Sequence, residues 1–176
     1  MRRVRYRVAT SLDGYIAGPK GEIDWIVHDP AMDWASLFAE YDTVLLGRRT
    51  YELTRQPGAP GWPAGWGIYV FSTTLQPEQH PDVTLVRKDG AATVAGLRAG
   101  KGRDIWLFGG GSLFRSLLEA RQVDSVELAV MPALLGGGVP FLEMGAPITR
   151  LRLAHSETSP HGIVVLRYEI PDAALS

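Results

Sequence analysis

The sequence predicts an α/β protein: a mixed, mostly parallel sheet flanked by helices and finished by an antiparallel hairpin. Three observations predict it. Short apolar runs alternate with helical patterns along most of the chain, as they do where parallel strands are buried on both faces. The run DIWLFGGGSLFRSLL, residues 104–118, reads as strand, glycine turn and helix in direct succession. The tail then departs from this alternation, because residues 151–157 and 163–170 are two strand patterns about a turn at Pro160, His161 and Gly162.

The elements follow in order. Residues 4–10 alternate Val4, Tyr6 and Val8 with arginines and make the first strand. Ser11-Leu12-Asp13-Gly14 breaks it, with Asp13 as a turn residue, and Gly18-Pro19-Lys20-Gly21 is a second break. Asp29-Pro30 reads as a helix start, Asp at the N-cap and Pro in the first turn, with Trp34, Leu37, Phe38 and Tyr41 along one face. Residues 43–46 form a buried strand that Gly47 ends, and Arg48 opens a helix reaching Leu53. The loop PGAPGWPAGWG, residues 57–67, is long for a compact domain and reads either as a functional loop or as a rigid proline-braced connection whose tryptophans cover the edge of the core. Strands at 68–71 and 83–86 precede a weak helix at 92–99. After the strand at 105–108, Ser112 stands where an N-cap belongs, and Leu113, Phe114, Leu117 and Leu118 recur at helical spacing. A strand at 126–131 leads into the hairpin.

Composition narrows the function classes. The 176 residues suit one domain spanning 1–176, and 45% hydrophobic content supplies its core. Eighteen basic and nineteen acidic residues nearly cancel, which argues against a broad nucleic-acid or membrane-surface footprint. With no cysteine there is no disulfide, thiolate nucleophile or thiolate metal site, and the four scattered histidines form no metal-ligating pair, so no metal is expected. The arginine-punctuated N-terminus lacks a signal-peptide core, and no apolar run has the length of a membrane span, so a cytoplasmic protein is expected.

In a parallel α/β sheet, ligands gather at the carboxyl ends of the strands. Here those ends carry Gly47-Arg48-Arg49-Thr50, Ser72-Thr73-Thr74, Arg87-Lys88 and Gly109-Gly110-Gly111-Ser112. Guanidinium groups, hydroxyls and open backbone N–H groups at one edge suit a polyphosphate, and the cationic surplus favours NADP over NAD. The glycine run is neither a dinucleotide G-x-G-x-x-G, since Phe114 stands where the last glycine belongs, nor a P-loop, since no Gly-Lys-Ser/Thr follows.

These segments resemble a known superfamily. VLLGRRTYE is similar to the helix start of dihydrofolate reductases, and IWLFGGGSLFRSLL to their glycine turn. SLDGYIAG and QVDSVELAVMPALLGGG resemble the C-terminal reductase domain of the bifunctional riboflavin-biosynthesis deaminase/reductase, and the resemblance runs from about Val4 to Ile170. It implies a dihydrofolate reductase-like three-layer α/β/α fold, a stand-alone member of the superfamily, a homodimer and an NADPH cofactor. Carried over by residue, it gives Arg48, Arg49 and Thr50 to the phosphates, Ser72 and Thr73 to the adenosine ribose phosphate, and Ala9 and Ile16 to the nicotinamide; Gly47 and Arg87, at the same strand ends, join the expected cofactor-binding set. It gives Gly109, Gly110, Gly111, Ser112 and Leu113 to the turn beside nicotinamide and pyrophosphate, with the Gly109–Gly110 peptide cis. Trp25 matches a tryptophan flanking the active site, and Asp33 the carboxylate that faces the substrate, with Asp29 as the alternative if the helix begins differently.

Two departures lie on the substrate side. Ala129 stands where dihydrofolate reductases place a supporting threonine, and Thr54-Arg55-Gln56-Pro57 stands where the riboflavin-pathway domain has Asp-Asp-Pro. The expected activity is NADPH-dependent reduction of a pyrimidine- or pterin-like heterocycle, as in 5-amino-6-(5-phosphoribosylamino)uracil reductase. The alternatives are dihydrofolate reduction and a non-catalytic nucleotide-binding dimer.

Overall fold

The computed structural model describes residues 1–59 and 61–171; Pro60, within the 57–67 loop, and residues 172–176 lie outside the described residues. The element order is β1 (Val4–Ser11), β2 (Tyr15–Ala17), α1 (Trp34–Ala39), β3 (Tyr41–Gly47), α2 (Arg48–Thr54), β4 (Gly67–Phe71), β5 (Thr84–Val86), α3 (Gly90–Ala99), β6 (Asp104–Gly109), α4 (Gly111–Glu119), β7 (Ser125–Met131), β8 (Val139–Pro140), β9 (Arg152–Thr158) and β10 (Val164–Glu169).

One sheet carries eight of these strands in the order β5-β4-β3-β6-β1-β7-β10-β9. The strands from β5 to β7 pair in parallel, and β10 and β9 close the sheet antiparallel. This is the mixed sheet the sequence predicts, in a three-layer arrangement. The pleat separates two cores, because alternate residues of a strand face opposite sides. Leu45, Tyr6, Ile105 and Leu107 meet Val94 of α3 and Phe114 and Leu117 of α4 on one face. Val44, Leu46, Val70 and Trp106 meet Leu37 of α1 and Tyr51 of α2 on the other. Tyr6 stacks on Phe114 with ring centroids 3.8 Å apart, and its buried hydroxyl donates to the Phe141 carbonyl at 2.8 Å. This contact seats α4, and with it the glycine turn, on the central strand of the sheet. No described helix is long and apolar enough to cross a membrane.

The structure corrects three local expectations. The helix predicted from Asp29 begins at Trp34. Asp29 accepts only the Ala31 N–H, at 2.9 Å, which closes a single turn, whereas Asp33 is the N-cap and accepts from both the N–H and the hydroxyl of Ser36 at 3.0 and 2.6 Å. Tyr41 therefore opens β3 instead of continuing the helical face. At α4 the N-cap is Gly110, two residues earlier than expected, so Ser112 lies inside the first turn. Finally, β2 and β8 pair antiparallel in a small second sheet that no periodicity announces. Gly138 makes that pairing possible: its φ is +145°, and a Cβ there would collide with the Ala17 carbonyl oxygen.

Candidate functional site

Parallel pairing brings the carboxyl ends of β3, β4, β5 and β6 to one edge of the sheet, and the segments that follow them line a cleft of about 1810 Å³. At its centre lie two glycine turns. Gly47 caps α2 and Gly110 caps α4, and neither has a side chain to satisfy the N–H groups of the first turn. A Cβ on Gly47 would lie 3.6 Å from the Gly110 nitrogen, so the two turns run against each other. A Cβ on Gly110 would lie 3.5 Å from Thr50 Oγ1 and 3.8 Å from Ile16 Cδ1. All three residues line the cleft, so the absent methyl group is cleft space. The Gly109–Gly110 peptide is cis, and Gly109 itself is buried beneath the cleft surface.

Around the turns stand the polar groups. Arg48, Arg49 and Thr50 occupy the first turn of α2; Arg48 pairs with Glu52 at 3.0 Å, and Arg49 is exposed with no ion pair among the described residues. Arg87 donates to the Thr73 carbonyl at 3.1 Å, tying the end of β4 to that of β5. Ser72 Oγ accepts from the N–H groups of Thr74 and Leu75 at 3.2 and 3.1 Å, so its oxygen closes the turn that presents Thr73. Ala9, Ile16, Gly111, Ser112 and Leu113 line the same cleft.

The other wall is aromatic. Trp34, Phe38, Trp62, Trp106 and Phe108 line it. Trp62 stands edge-on to Phe108 at 5.1 Å and stacks on Trp66 at 6.0 Å, which braces the 57–67 loop against the end of β6. The loop tryptophans thus cover the core edge, as expected, and one of them also faces the cleft.

Two of the expected substrate residues fall elsewhere. Asp33 is exposed and absent from the cleft lining; its carboxylate is held by Ser36, whose hydroxyl and N–H lower its pKa. Trp25 also lies outside the lining, its indole N–H donating to the Glu22 carbonyl at 3.0 Å. Asp29 does line the cleft, with its side chain 15% exposed and Oδ1 3.8 Å from Nε2 of His161 in the β9–β10 turn. Asp13 is a turn residue: it accepts from Ser11 Oγ and from the N–H groups of Leu135 and Gly136, which hold its pKa down at about 2.

Sequence reasoning missed Arg7. It lines the cleft from β1, with Nη1 3.3 Å from Glu127 Oε2 on β7. Alternation marks Arg7 as sharing a face with Ala9, but only the β1–β7 pairing reveals its acidic partner. The whole arrangement offers an open N–H turn flanked by cations and, beside it, a flat apolar wall. Such a cleft suits an extended anionic cofactor next to a planar acceptor.

Comparisons with known proteins agree with this geometry. A family model described as the RibD C-terminal domain matches residues 2–165. Two proteins of Bacillus subtilis (strain 168), YyaP and YwjB, both described as uncharacterized, are 31% and 32% identical; the first match covers 95% of this chain and 94% of the relative, the second 86% and 89%. A solved structure named "Putative riboflavin biosynthesis protein" from Shewanella sp. PV-4 superposes with a TM-score of 0.82 at 26% identity, over 98% of this chain and 100% of that one. A pyrimidine reductase-like protein from Corynebacterium diphtheriae shares the fold, with a TM-score of 0.71 at 18% identity over 97% of this chain and 92% of its own. The chain belongs to the RibD C-terminal domain family.

Proposed function

We propose that this protein is an NADPH-dependent reductase of a pyrimidine- or pterin-like heterocycle, similar in reaction type to 5-amino-6-(5-phosphoribosylamino)uracil reductase. The observation that carries the reading is the glycine cradle at Gly110. It is open to the cleft between Thr50 and Ile16, and it heads a nine-residue helix whose first N–H groups have no side-chain cap. Membership of the RibD C-terminal domain family supports reductase chemistry.

In this reading Arg48, Arg49, Thr50 and the first turn of α4 hold the pyrophosphate, and Thr73, Arg87 and Lys88 hold the ribose phosphate. Ala9, Ile16 and the Gly110 turn bound the space for the nicotinamide. The bound cofactor supplies the hydride, so the protein's own task is positioning and exclusion of water. Asp29 replaces Asp33 as the carboxylate available to anchor an amidine-like ring edge, and Arg7, held by Glu127, is the cation at the acceptor side. A homodimer belongs to the same reading and is supported by β9, which is the sheet edge and is exposed along its whole length. A cytoplasmic location goes with it.

The test is binding followed by turnover. NADPH should raise the melting temperature, and the NADPH-loaded protein should oxidise the cofactor when supplied with a member of a panel of aminopyrimidines and dihydropteridines. A protein that binds NADPH but turns over none of them would favour the non-catalytic alternative. Light scattering on the eluting protein tests the dimer.

A further inference from the structure

We propose that His161 supplies the proton of the reduction by way of Asp29: the cleft carboxyl hands its proton to the acceptor, and His161, on the solvent side of it, returns one. This rests on the reductase reading above and adds a residue to it.

The strand register places the pair. Ala9 on β1, Ala129 on β7 and Val165 on β10 are partners across three neighbouring strands, and all three line the cleft. Because β10 runs antiparallel to β7, the turn that precedes it lies at the carboxyl ends of β1 and β7. Ser159 and Ile163, at the two ends of that turn, line the cleft, whereas His161 between them does not. The segment before α1 lies against the turn. There Asp29 Oδ1 accepts the Ala31 N–H at 2.9 Å and stands 3.8 Å from His161 Nε2, while Oδ2 makes no hydrogen bond among the described residues. The Asp29 side chain is 15% exposed and that of His161 47%, so the carboxylate is the inner group and the imidazole the outer one.

The rest of the lining offers no comparable donor. Its arginines do not give up a proton at neutral pH. Glu52, Asp89, Glu143 and His28 also line the cleft, but all four are exposed. Asp29 alone among the lining carboxylates and histidines is half-buried, and it touches a side chain of the type that gains and loses a proton near neutral pH. A donor shielded from water must be recharged through a neighbour, and Asp29 is the one ionic contact of His161 among the described residues.

The step balances on an imine such as that of 7,8-dihydropterin. The hydride adds to C6, the C6=N5 π pair moves onto N5, and N5 takes the proton as the Asp29 O–H bond breaks. The carboxylate then takes a proton from the His161 imidazolium, which takes one from water. The acceptor gains two electrons and two hydrogens, and the dinucleotide is oxidised by loss of the hydride. Across 3.8 Å one bridging water or a small shift of the turn completes the transfer.

The experiment follows NADPH oxidation by 7,8-dihydropterin. His161→Ala should lower kcat about tenfold with KM and NADPH affinity within about twofold, and imidazole added to the buffer should restore about half of the lost rate or more. His28→Ala should turn over as the wild type does. A His161→Ala variant that loses nothing would overturn the proposal. So would a loss that imidazole does not restore, because His161 would then only hold Asp29 in place. Apart from turnover, Asp29→Asn should move the ring NMR signals of His161 in the cofactor-free protein and leave those of His80 and His155 where they are; unmoved His161 signals would also overturn it. A wild type that binds NADPH but leaves dihydropterin unreduced overturns the proton path and leaves the cofactor reading standing. Failure of NADPH to bind overturns the reading on which the proposal rests.

Discussion

Glu127 on β7 grips Arg5 on β1 with both carboxylate oxygens, Oε1 2.6 Å from Nε and Oε2 2.9 Å from Nη2, and both side chains are more than nine-tenths buried. The same carboxylate reaches Arg7, the cleft cation. Burial works to raise the Glu127 pKa, but hydrogen bonds and charge from Arg5, then charge from Arg7 and Arg167, outweigh it and hold the group below its ordinary value. Burial likewise works to lower the Arg5 pKa, and Glu127 more than reverses it. The pair is therefore charged in the folded protein, and it links the strand pairing of the sheet to the position of Arg7.

Glu127→Ala should cost about 1–3 kcal/mol of stability at neutral pH, because the buried Arg5 guanidinium loses its two-oxygen partner and keeps only Glu40 and Asp104. The pH dependence has a definite sign. A carboxylate whose folded pKa is depressed contributes stability above its unfolded value, about 4.3, and loses it as pH falls through the folded value. Urea melts from neutral pH down to about 3 should show wild-type stability falling on acidification and a flatter profile for Glu127→Gln. Superimposable profiles would remove Glu127 from the acid response.

Gly110→Ala and Gly111→Ala should fail in different ways. A Cβ at Gly110 meets Thr50 and Ile16 at ordinary contact distance, so that variant should fold while its methyl group occupies the cleft; NADPH affinity should drop about tenfold or more. A Cβ at Gly111 would collide with the Pro140 backbone carbonyl, so that variant should lose stability first. Melting curves with and without NADPH separate the two. A Gly110→Ala protein that binds NADPH normally would mean that the cradle does not face the cofactor.

The contrast between these adjacent glycines shows what was legible in the sequence. The order strand, glycine turn, helix is local, and the run at 105–118 declares it. Which glycine faces the cleft and which faces Pro140 depends on β8, a strand of two residues that is too short for any periodicity to reveal. Helix α1 is similar. Asp29-Pro30 and Asp33 are both good start signals, and the choice depends on which carboxylate finds the Ser36 N–H. The glycine and cation side of the cleft was readable because its residues follow their own strands directly. The aromatic side was not, because Arg7, Asp29 and Trp62 come from segments distant in sequence that only the fold brings together.

Asp33 and Asp29 should exchange the roles first expected of them. Asp33→Ala should lower the melting temperature by removing the α1 cap, with NADPH affinity and turnover unchanged. Asp29→Asn should leave NADPH binding intact and lower turnover about tenfold or more with the best acceptor from the panel. Steady-state kinetics decide it, and a tenfold loss in the Asp33 variant with none in the Asp29 variant would restore the first expectation.

The most direct test of the cofactor assignment is a paired titration of the purified protein with NADPH and NADH. Arg49, Arg87, Lys88 and Thr73 line the cleft at the carboxyl ends of β3, β4 and β5, and the ribose phosphate is the group that distinguishes the two cofactors. NADPH should bind about tenfold or more tighter than NADH, and Arg87→Ala should narrow the gap by weakening NADPH alone. Equal affinity for the two cofactors, or binding of neither, would contradict the account.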